Sequence, residues 1–141
     1  GMKHQMTEYA LDGQNFNPNL TLKTFEYNCL DSTSEKIVDI ALSSSAYLSG
    51  VLLTDFGTVI PFGSEYDIEQ MGPPPAGLMV DVAGGGGGIC GVSTTGSVVC
   101  WGAFYNENMK TVPDFKFKEI AVSNYKACGI TIDDGLVCWG D

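Results

Sequence analysis

Apolar residues in the C-terminal two thirds of the chain fall in short runs bounded by glycine and polar turn residues. The run at residues 98–101 reads Val-Val-Cys-Trp, so both faces of a strand built from it are apolar. A sheet with one solvated face alternates apolar and polar residues, whereas a sheet packed between two others does not. The pattern therefore predicts short antiparallel strands in sheets that are buried on both faces.

This pattern recurs as an internal repeat. Each copy begins with a short strand and ends in a hairpin whose last two residues are an aromatic residue and a glycine. The closing glycines are Gly63, Gly102 and Gly140, so the spacing is 39 and then 38 residues. The aromatic residues before these glycines, which we expect to be structural, are Phe62, Trp101 and Trp139.

A repeat of this length with two apolar faces is typical of a β-propeller blade. We therefore predict an all-β fold with three blades, and an open β-solenoid is the alternative. Each blade has room for four strands, and the fourth strands are expected at residues 77–79 and 115–117. Residues 1–36 form an N-terminal segment that is expected to be a degenerate hairpin or an outer strand of the last blade. The three predicted repeats span about residues 37–76, 77–114 and 115–141.

The hairpin of the second copy has a definite predicted register. Folding about Thr95 sets Cys90 opposite Cys100 and Ile89 opposite Trp101. Glycine is the third residue of the loop at 94–96, where a three-residue hairpin loop needs a left-handed residue.

The third copy permits two registers. Its Asp134-Gly135 pair matches a two-residue type I′ turn, which would separate Cys128 from Cys138. The alignment of its Cys and Trp positions with the second copy favours the three-residue loop. In this alignment Gly91 and Gly129 lie diagonal to the tryptophans and are expected to leave room for the indole rings.

Three blades do not close a ring. An unclosed arc exposes the apolar faces of its end blades. Either the chain continues in a longer protein, or two copies associate into six blades. The homodimer is the favoured prediction, because closed two-fold assemblies are the commonest oligomers.

The five cysteines are Cys29 and two pairs with a spacing of ten residues. On the predicted register Cys90 faces Cys100 and Cys128 faces Cys138, so two disulfides are geometrically possible. They would indicate an oxidising compartment, and we expect an extracytoplasmic or secreted protein without a signal-peptide pattern at its start. The alternative is that the cysteines are small buried hydrophobes.

Composition argues against several classes of function. Seventeen acidic and seven basic residues give a formal net charge of −10, which disfavours binding to nucleic acids and to anionic membranes. No apolar stretch approaches the roughly 20 residues that span a bilayer. His4 is the one histidine, and no cysteine spacing matches a zinc site, so we predict no catalytic residue, metal or cofactor. The glycine run at 84–88 precedes a strand, so it is read as a tight turn and not as a phosphate loop.

The third copy resembles the repeat of the regulator of chromosome condensation family. The resemblance rests on Cys128-Gly129-Ile130, then Asp134-Gly135, and then residues 137–140 (Val-Cys-Trp-Gly). The paired cysteines are most similar to those of crinkly-type receptor-kinase ectodomains. The resemblance implies a propeller of six or seven blades. The founding member of the family acts as a nucleotide exchange factor, and other members bind kinases, lipids, peptides or enzymes. In chromosome-condensation repeats an Asn and a Gly-Gln-Leu-Gly stretch usually follow Trp-Gly. Residues 103–109 depart from that pattern, so nucleotide exchange is not carried over.

These observations predict a non-enzymatic module that binds a protein through one loop face. The loops between the first and second strands of each copy are rich in Ser, Gly, Tyr and Asn, which is a composition typical of contact loops. An alternative is a carbohydrate-binding propeller that uses the exposed aromatic residues Tyr47, Phe104, Tyr105 and Tyr125. The candidate protein-binding residues are Tyr47, Gly86, Tyr125 and Lys126.

Overall fold

The structure is a computed structural model that describes residues 2–9, 22–29, 35–43 and 49–141. Within these ranges the chain is almost entirely β-structure, with one short α-helix and one 3₁₀-helix (Glu107–Lys110). The elements in chain order are β1 (Met2–Tyr9), β2 (Leu22–Cys29), β3 (Ile37–Leu42), β4 (Gly50–Thr54), β5 (Val59–Phe62), α1 (Glu65–Met71), β6 (Met79–Gly85), β7 (Gly88–Ser93), β8 (Val98–Gly102), β9 (Phe117–Val122), β10 (Lys126–Thr131) and β11 (Leu136–Gly140).

Nine of these strands form three antiparallel sheets of three strands each. Blade 1 is β3-β4-β5, blade 2 is β6-β7-β8 and blade 3 is β9-β10-β11. The first strands lie side by side, because β6 contacts both β3 and β9. The blades are therefore stacked around one axis with their first strands innermost, which confirms the prediction of propeller blades.

The predicted fourth strands are wrong. Met79 and Phe117, which were assigned to them, begin the first strands of blades 2 and 3. The segment after blade 1 forms α1 instead, because the Ser64 hydroxyl accepts a hydrogen bond from Asp67 N at 3.1 Å and so caps the helix. The segment after blade 2 forms the 3₁₀-helix, where the Asn106 side chain accepts from Asn108 N.

The predicted hairpin registers are confirmed. Cys90 pairs with Cys100 in blade 2, and Cys128 pairs with Cys138 in blade 3. The third residue of the loop has a positive φ in every blade, and in blade 3 that residue is Asp134. The alternative two-residue turn does not form, and Thr131 N donates to the Gly135 carbonyl across the three-residue loop.

The turn between the first two strands of blade 2 is tight, as predicted. Gly86 and Gly87 both have positive φ, at 59° and 90°, and they join the paired residues Gly85 and Gly88. Two left-handed residues in a two-residue loop define a type I′ hairpin, and glycine adopts this conformation at no steric cost.

Two hydrophobic cores lie between the blades. Backbone hydrogen bonds also join neighbouring blades. Met79 N of blade 2 donates to Gly57 O of blade 1 at 2.9 Å, and Phe117 N of blade 3 donates to Gly96 O of blade 2 at 2.8 Å. The core between blades 1 and 2 contains Ala41, Val51, Leu53, Met71, Met79, Val82, Ile89 and Trp101. The core between blades 2 and 3 contains Cys90, Val92, Cys100, Phe104, Met109, Phe117, Ile120, Ala127 and Trp139.

The space beside Gly91 and Gly129 is not filled by the indole rings, so that prediction is wrong. A Cβ at Gly129 would lie 2.4 Å from Phe117 Cδ1, and one at Gly91 would lie 2.9 Å from Met79 Sδ. The first-strand side chains occupy this space because they cross over the middle strand. Phe117 then packs on Trp139, with ring centroids 5.6 Å apart.

The three closing aromatic residues are partly or fully buried. Trp101 and Trp139 are both 8% exposed, and Phe62 is half-buried. Trp139 Nε1 donates to Met109 O at 2.9 Å. Trp101 Nε1 is buried and has no hydrogen-bond partner in the described part of the chain.

The described parts of the N-terminal segment form a two-stranded sheet. Strand β1 pairs antiparallel with β2, and Met2 lies opposite Cys29. Most of the segment proposed as an outer strand, residues 19–21, lies outside the described residues. The division at residue 36 stays a prediction. Among the described residues, no helix is long and apolar enough to cross a bilayer.

Candidate binding face

The loops that join the first and second strands of blades 2 and 3, together with Ser43 at the end of the first strand of blade 1, lie at one end of the arc. They are tied to their neighbours through backbone groups: Gly87 N donates to Ser43 O at 2.7 Å, and Tyr105 N donates to Gly86 O at 2.8 Å. Asp141 N donates to Tyr125 O at 3.1 Å. The first bond joins blades 1 and 2, and the other two hold the segments after blades 2 and 3 to the loops of their own blades. The loop of blade 3 lies close against that of blade 2, since a Cβ at Gly86 would be 2.2 Å from Asn124 O. The described loop residues therefore form a surface of defined shape, which we call the loop face.

Two tyrosines project from this face. Tyr105 is 60% exposed and Tyr125 is 55% exposed. Asn106 lies between their backbones, and its side-chain amide donates to Tyr125 O at 3.4 Å. The Asn106 carbonyl oxygen is also engaged, since it accepts from Asn108 N at 3.0 Å. The two rings are therefore presented to solvent on a backbone that is held in place.

The predicted contact residues have different positions. Tyr125 and Lys126 are exposed on the loop face. Tyr47 lies outside the described residues. Gly86 is buried, and a Cβ there would lie 2.2 Å from Asn124 O, so this glycine permits the close approach of the neighbouring loop. Whether these residues bind a partner stays a prediction.

One aromatic residue of the predicted carbohydrate site is misplaced. Phe104 is 5% exposed and belongs to the core between blades 2 and 3. Its ring lies against Gly88, where a Cβ would be 2.3 Å from Phe104 Cε2. The prediction that Phe104 is exposed is wrong because residue 104 follows the blade 2 hairpin directly and turns back over it.

Sequence reasoning missed Asn106 as part of this face. The signal was an asparagine directly before a short polar segment, which is the pattern of a helix N-cap. The carbonyl oxygen of its side chain caps the 3₁₀-helix, while its amide group reaches the loop of blade 3. The residue therefore links the segment after blade 2 to Tyr125.

One carboxyl group between the blades has a shifted pKa. Asp81 lies at the contact of blades 2 and 3, and its Oδ2 accepts from Ile120 N at 2.9 Å. Burial raises the pKa of Asp81 above its ordinary value of 3.8, and the nearby Asp39 and Glu119 carboxylates raise it further, against the opposing effect of the Ile120 N–H. The described residues contain no group of three or more His, Cys, Asp or Glu side chains placed to hold a metal ion.

Both predicted disulfides are present. Cys90 is bonded to Cys100 and Cys128 to Cys138, and each bond joins the second and third strands of one blade. Such bonds form and persist in oxidising compartments. The cysteines therefore staple the two hairpins that carry the most regular copies of the repeat.

Comparison with known proteins gives a fold relationship and no family assignment. No family model matches the chain, and no curated protein matches it. Among solved structures, the chain is similar to the CRINKLY WD40 ectodomain of the Arabidopsis thaliana receptor kinase ACR4, with 26% identity and a TM-score of 0.58. That alignment covers 83% of this chain and 43% of the ectodomain.

A second similar structure is the entire ectodomain of the Physcomitrella patens receptor kinase CR4. Its identity is 20% and its TM-score 0.58, over 84% of this chain and 33% of the ectodomain, so it supports the fold alone. The chain thus spans less than half the length of either structure.

The fold and the comparisons define the class as a partial β-propeller of the kind found in receptor ectodomains. The predicted similarity to crinkly-type ectodomains is confirmed. The wider resemblance to chromosome-condensation repeats stays a prediction. Two disulfides and similarity to extracellular domains fit an extracytoplasmic location.

Proposed function

We propose that this chain is a non-enzymatic, secreted module that binds a protein partner through its loop face. The observation that carries the proposal is the pair of exposed tyrosines, Tyr105 and Tyr125, on segments that backbone hydrogen bonds hold to their own blades and that the Asn106 amide joins to each other. Similarity to receptor ectodomains, which are extracellular parts of signalling proteins, supports a role in recognition.

The chemistry of the face favours a protein over a small molecule. Tyrosine supplies a large amphipathic contact area at a low cost in side-chain entropy, and it is enriched where binding energy is concentrated. Exposed Lys126 adds a polar rim next to Tyr125. Both polar groups of the Asn106 amide are already hydrogen-bonded within the chain, which leaves fewer groups for sugar hydroxyls.

The segment after blade 2 supports a role other than nucleotide exchange. Residues 103–109 depart from the chromosome-condensation pattern, and here Phe104 and Met109 are both buried in the core between blades 2 and 3. We therefore infer that the repeats are a variant of that type in which this segment supports the fold.

The test is a double variant, Tyr105→Ala with Tyr125→Ala. A cross-linkable form of the protein is incubated with the extracellular fraction of its source organism, and captured proteins are quantified by mass spectrometry. The loop-face variant is expected to lose the captured partner by more than tenfold, since two tyrosine anchors at about 2 kcal/mol each exceed that loss.

The matched control is Phe56→Ala, since Phe56 is 51% exposed in the loop between the second and third strands of blade 1, at the opposite end of the blades. This variant should capture the partner as the natural chain does. Equal capture by the loop-face variant would contradict the proposal. A glycan array probed with the same proteins decides the alternative: sugar binding that depends on Tyr105 and Tyr125 would replace the protein partner with a carbohydrate.

A further inference from the structure

The blades pack on one another by a single rule. We call the surface of a blade that carries the disulfide the cysteine face; in blade 2 it includes Cys90, Val92 and Cys100. The opposite surface is the tryptophan face, which in blade 3 includes Phe117, Ile120, Ala127 and Trp139. The core between blades 2 and 3 consists of these two faces.

The contact between blades 1 and 2 obeys the same rule. Val51 and Leu53 occupy in blade 1 the positions of Cys90 and Val92, as the hairpin registers show. They pack on the tryptophan face of blade 2, which carries Met79, Val82, Ile89 and Trp101. Each blade therefore offers its cysteine face to the tryptophan face of the next blade.

No blade follows blade 3 among the described residues, and its cysteine face is open. Ile130 is 37% exposed and Leu136 is 73% exposed. Val92, the blade 2 residue equivalent to Ile130, is 0% exposed. Cys138 is likewise exposed, whereas its equivalent Cys100 is buried. A shallow groove runs over this face between Glu119, Ala121, Cys128, Ile130 and Leu136.

No blade precedes blade 1 among the described residues, and two apolar positions of its tryptophan face are exposed. Ile37 is 36% exposed, whereas its equivalents Met79 and Phe117 are 3% and 1% exposed. Ile40 is 56% exposed, and its equivalents are Val82 at 5% and Ile120 at 6%. Leu52, between them, is already buried within the single chain, so the open part of this face is formed by the first strand.

Ile37 and Ile40 are exposed because no blade packs on them, and the bulge residues of the first strands serve as an internal control. Each first strand has a bulge one residue after the Ile37 position, at Val38, Val80 and Lys118. All three bulge residues are exposed, whether or not a neighbouring blade is present. The positions of Ile37 and Ile40, in contrast, are buried wherever a preceding blade exists.

We propose that a second copy of this chain covers both open faces. The cysteine face of blade 3 in one copy packs on the tryptophan face of blade 1 in the other, and the reverse contact closes the ring. Two such arcs give a two-fold assembly of six blades, three from each copy. The apolar surfaces that meet are of the same kind as those that already meet twice inside the chain.

Length supports this occupant. The alignment with the Arabidopsis ectodomain takes up 83% of this chain and 43% of that one, so the ectodomain chain is about twice as long. Two copies of this chain therefore have about the length of that ectodomain chain.

The backbone hydrogen bonds between neighbouring blades have expected equivalents across the interface between the two copies. Gly57 O and Gly96 O each accept from the first strand of the next blade, at Met79 N and Phe117 N. Asp134 is the equivalent of Gly96 in blade 3, so its carbonyl faces Ile37 N of the second copy. The Glu119 carboxylate, equivalent to that of Asp81, faces the region of Ile40 N, which in the single chain donates to Asp39 Oδ1 at 2.8 Å.

The experiment measures solution mass by light scattering over a range of protein concentrations near physiological salt. The natural chain is expected at twice the 15.0 kDa mass of one copy. Ile40→Glu and Leu136→Lys should each give single copies, since each change puts a charge into both interfaces of the ring. Val80→Glu is the control: Val80 is 55% exposed at a bulge, so its dimer should persist.

Mixing the two single-copy variants tests the pairing of faces. A ring of one Ile40→Glu copy and one Leu136→Lys copy has one unaltered interface and one with opposite charges, so the mixture should recover the doubled mass. Circular dichroism and intact disulfides check that each variant is folded, which is expected because both side chains are exposed in the single copy. A natural chain that remains single at all concentrations, larger open assemblies, or a mixture that stays single would overturn the proposal.

Discussion

At the scale of single residues, the middle strand of each blade decides how closely the first strand can cross it. Gly129 and Gly91 occupy equivalent positions, and each lies under a side chain of the first strand. Over Gly129 that side chain is Phe117, which is 1% exposed and also packed on Trp139. Over Gly91 it is the flexible Met79. The two glycine positions are equivalent, but the side chain over Gly91 can move aside more easily than the one over Gly129.

We predict that Gly129→Ala destabilises the protein more than Gly91→Ala. An added methyl group beside the rigid Phe117 ring forces the core apart, which costs about 1–3 kcal/mol. The Met79 thioether can rotate away, so the cost at Gly91 is expected to fall near the lower end of that range. Urea unfolding of both variants measures the difference. Equal losses, or a larger loss at Gly91, would count against this account of the packing.

At the scale of elements, each hairpin with a cysteine pair is a closed loop in which the bond joins directly opposed residues. Cross-linking residues ten apart restricts the unfolded chain and contributes about 2–3 kcal/mol. The two bonds differ in their surroundings. Cys90 is 0% exposed and Cys100 is 9% exposed, whereas Cys138 is exposed on the open face of blade 3.

We predict that, in the single-copy Ile40→Glu variant, a mild thiol reductant opens Cys128–Cys138 before Cys90–Cys100. The single-copy variant is used because the second copy proposed above would cover Cys138 in the ring. Exchange requires a thiolate to reach a sulfur atom, and the core between blades 2 and 3 shields the Cys90–Cys100 bond. Timed alkylation followed by peptide mapping gives the order of reduction. The variant with Cys128→Ser and Cys138→Ser serves as the reference for the remaining bond. Simultaneous reduction of both bonds in the folded protein would refute the prediction.

At the scale of the whole molecule, stability depends on how the blades stack. The Asp81 carboxylate bridges blades 2 and 3 through Ile120 N, and the pKa of Asp81 is raised mainly by burial. A raised pKa means that the folded protein holds this proton more tightly than the unfolded chain does. Its contribution to stability is therefore present below pH 3.8 and is lost as the pH rises through the raised pKa.

We predict that Asp81→Asn removes the loss of stability that ionisation of Asp81 causes as the pH rises. The amide oxygen of Asn still accepts from Ile120 N, but no charge is buried between the blades. The free energy of unfolding of the variant, relative to the natural chain, should rise between about pH 4 and neutral pH and then level off. Asp114→Asn, an exposed acid, corrects for the change in net charge. A difference that stays constant or falls with increasing pH would show that Asp81 acts otherwise.

The local sequence pattern predicted the blades, their period and the favoured hairpin registers, and these registers made both disulfides possible. These features depend on local patterns, because the two strands of a hairpin are joined by only three residues and alternate strictly along their length. Asp134 adopted the left-handed conformation in the third loop because the register of its flanking strands required a residue with positive φ there.

What lies between and across the blades depends on contacts that form only in the folded protein. The segments after Gly63 and Gly102 are helical rather than a fourth strand, and Phe104 turns back over Gly88 into the core between blades 2 and 3. The exposure of Ile40 and Leu136 likewise cannot be read from their apolar character, since the same residue types are buried at equivalent positions. Local pattern specifies which faces are apolar, but the contacts that cover them come from residues distant in the chain or, as we propose, from a second copy.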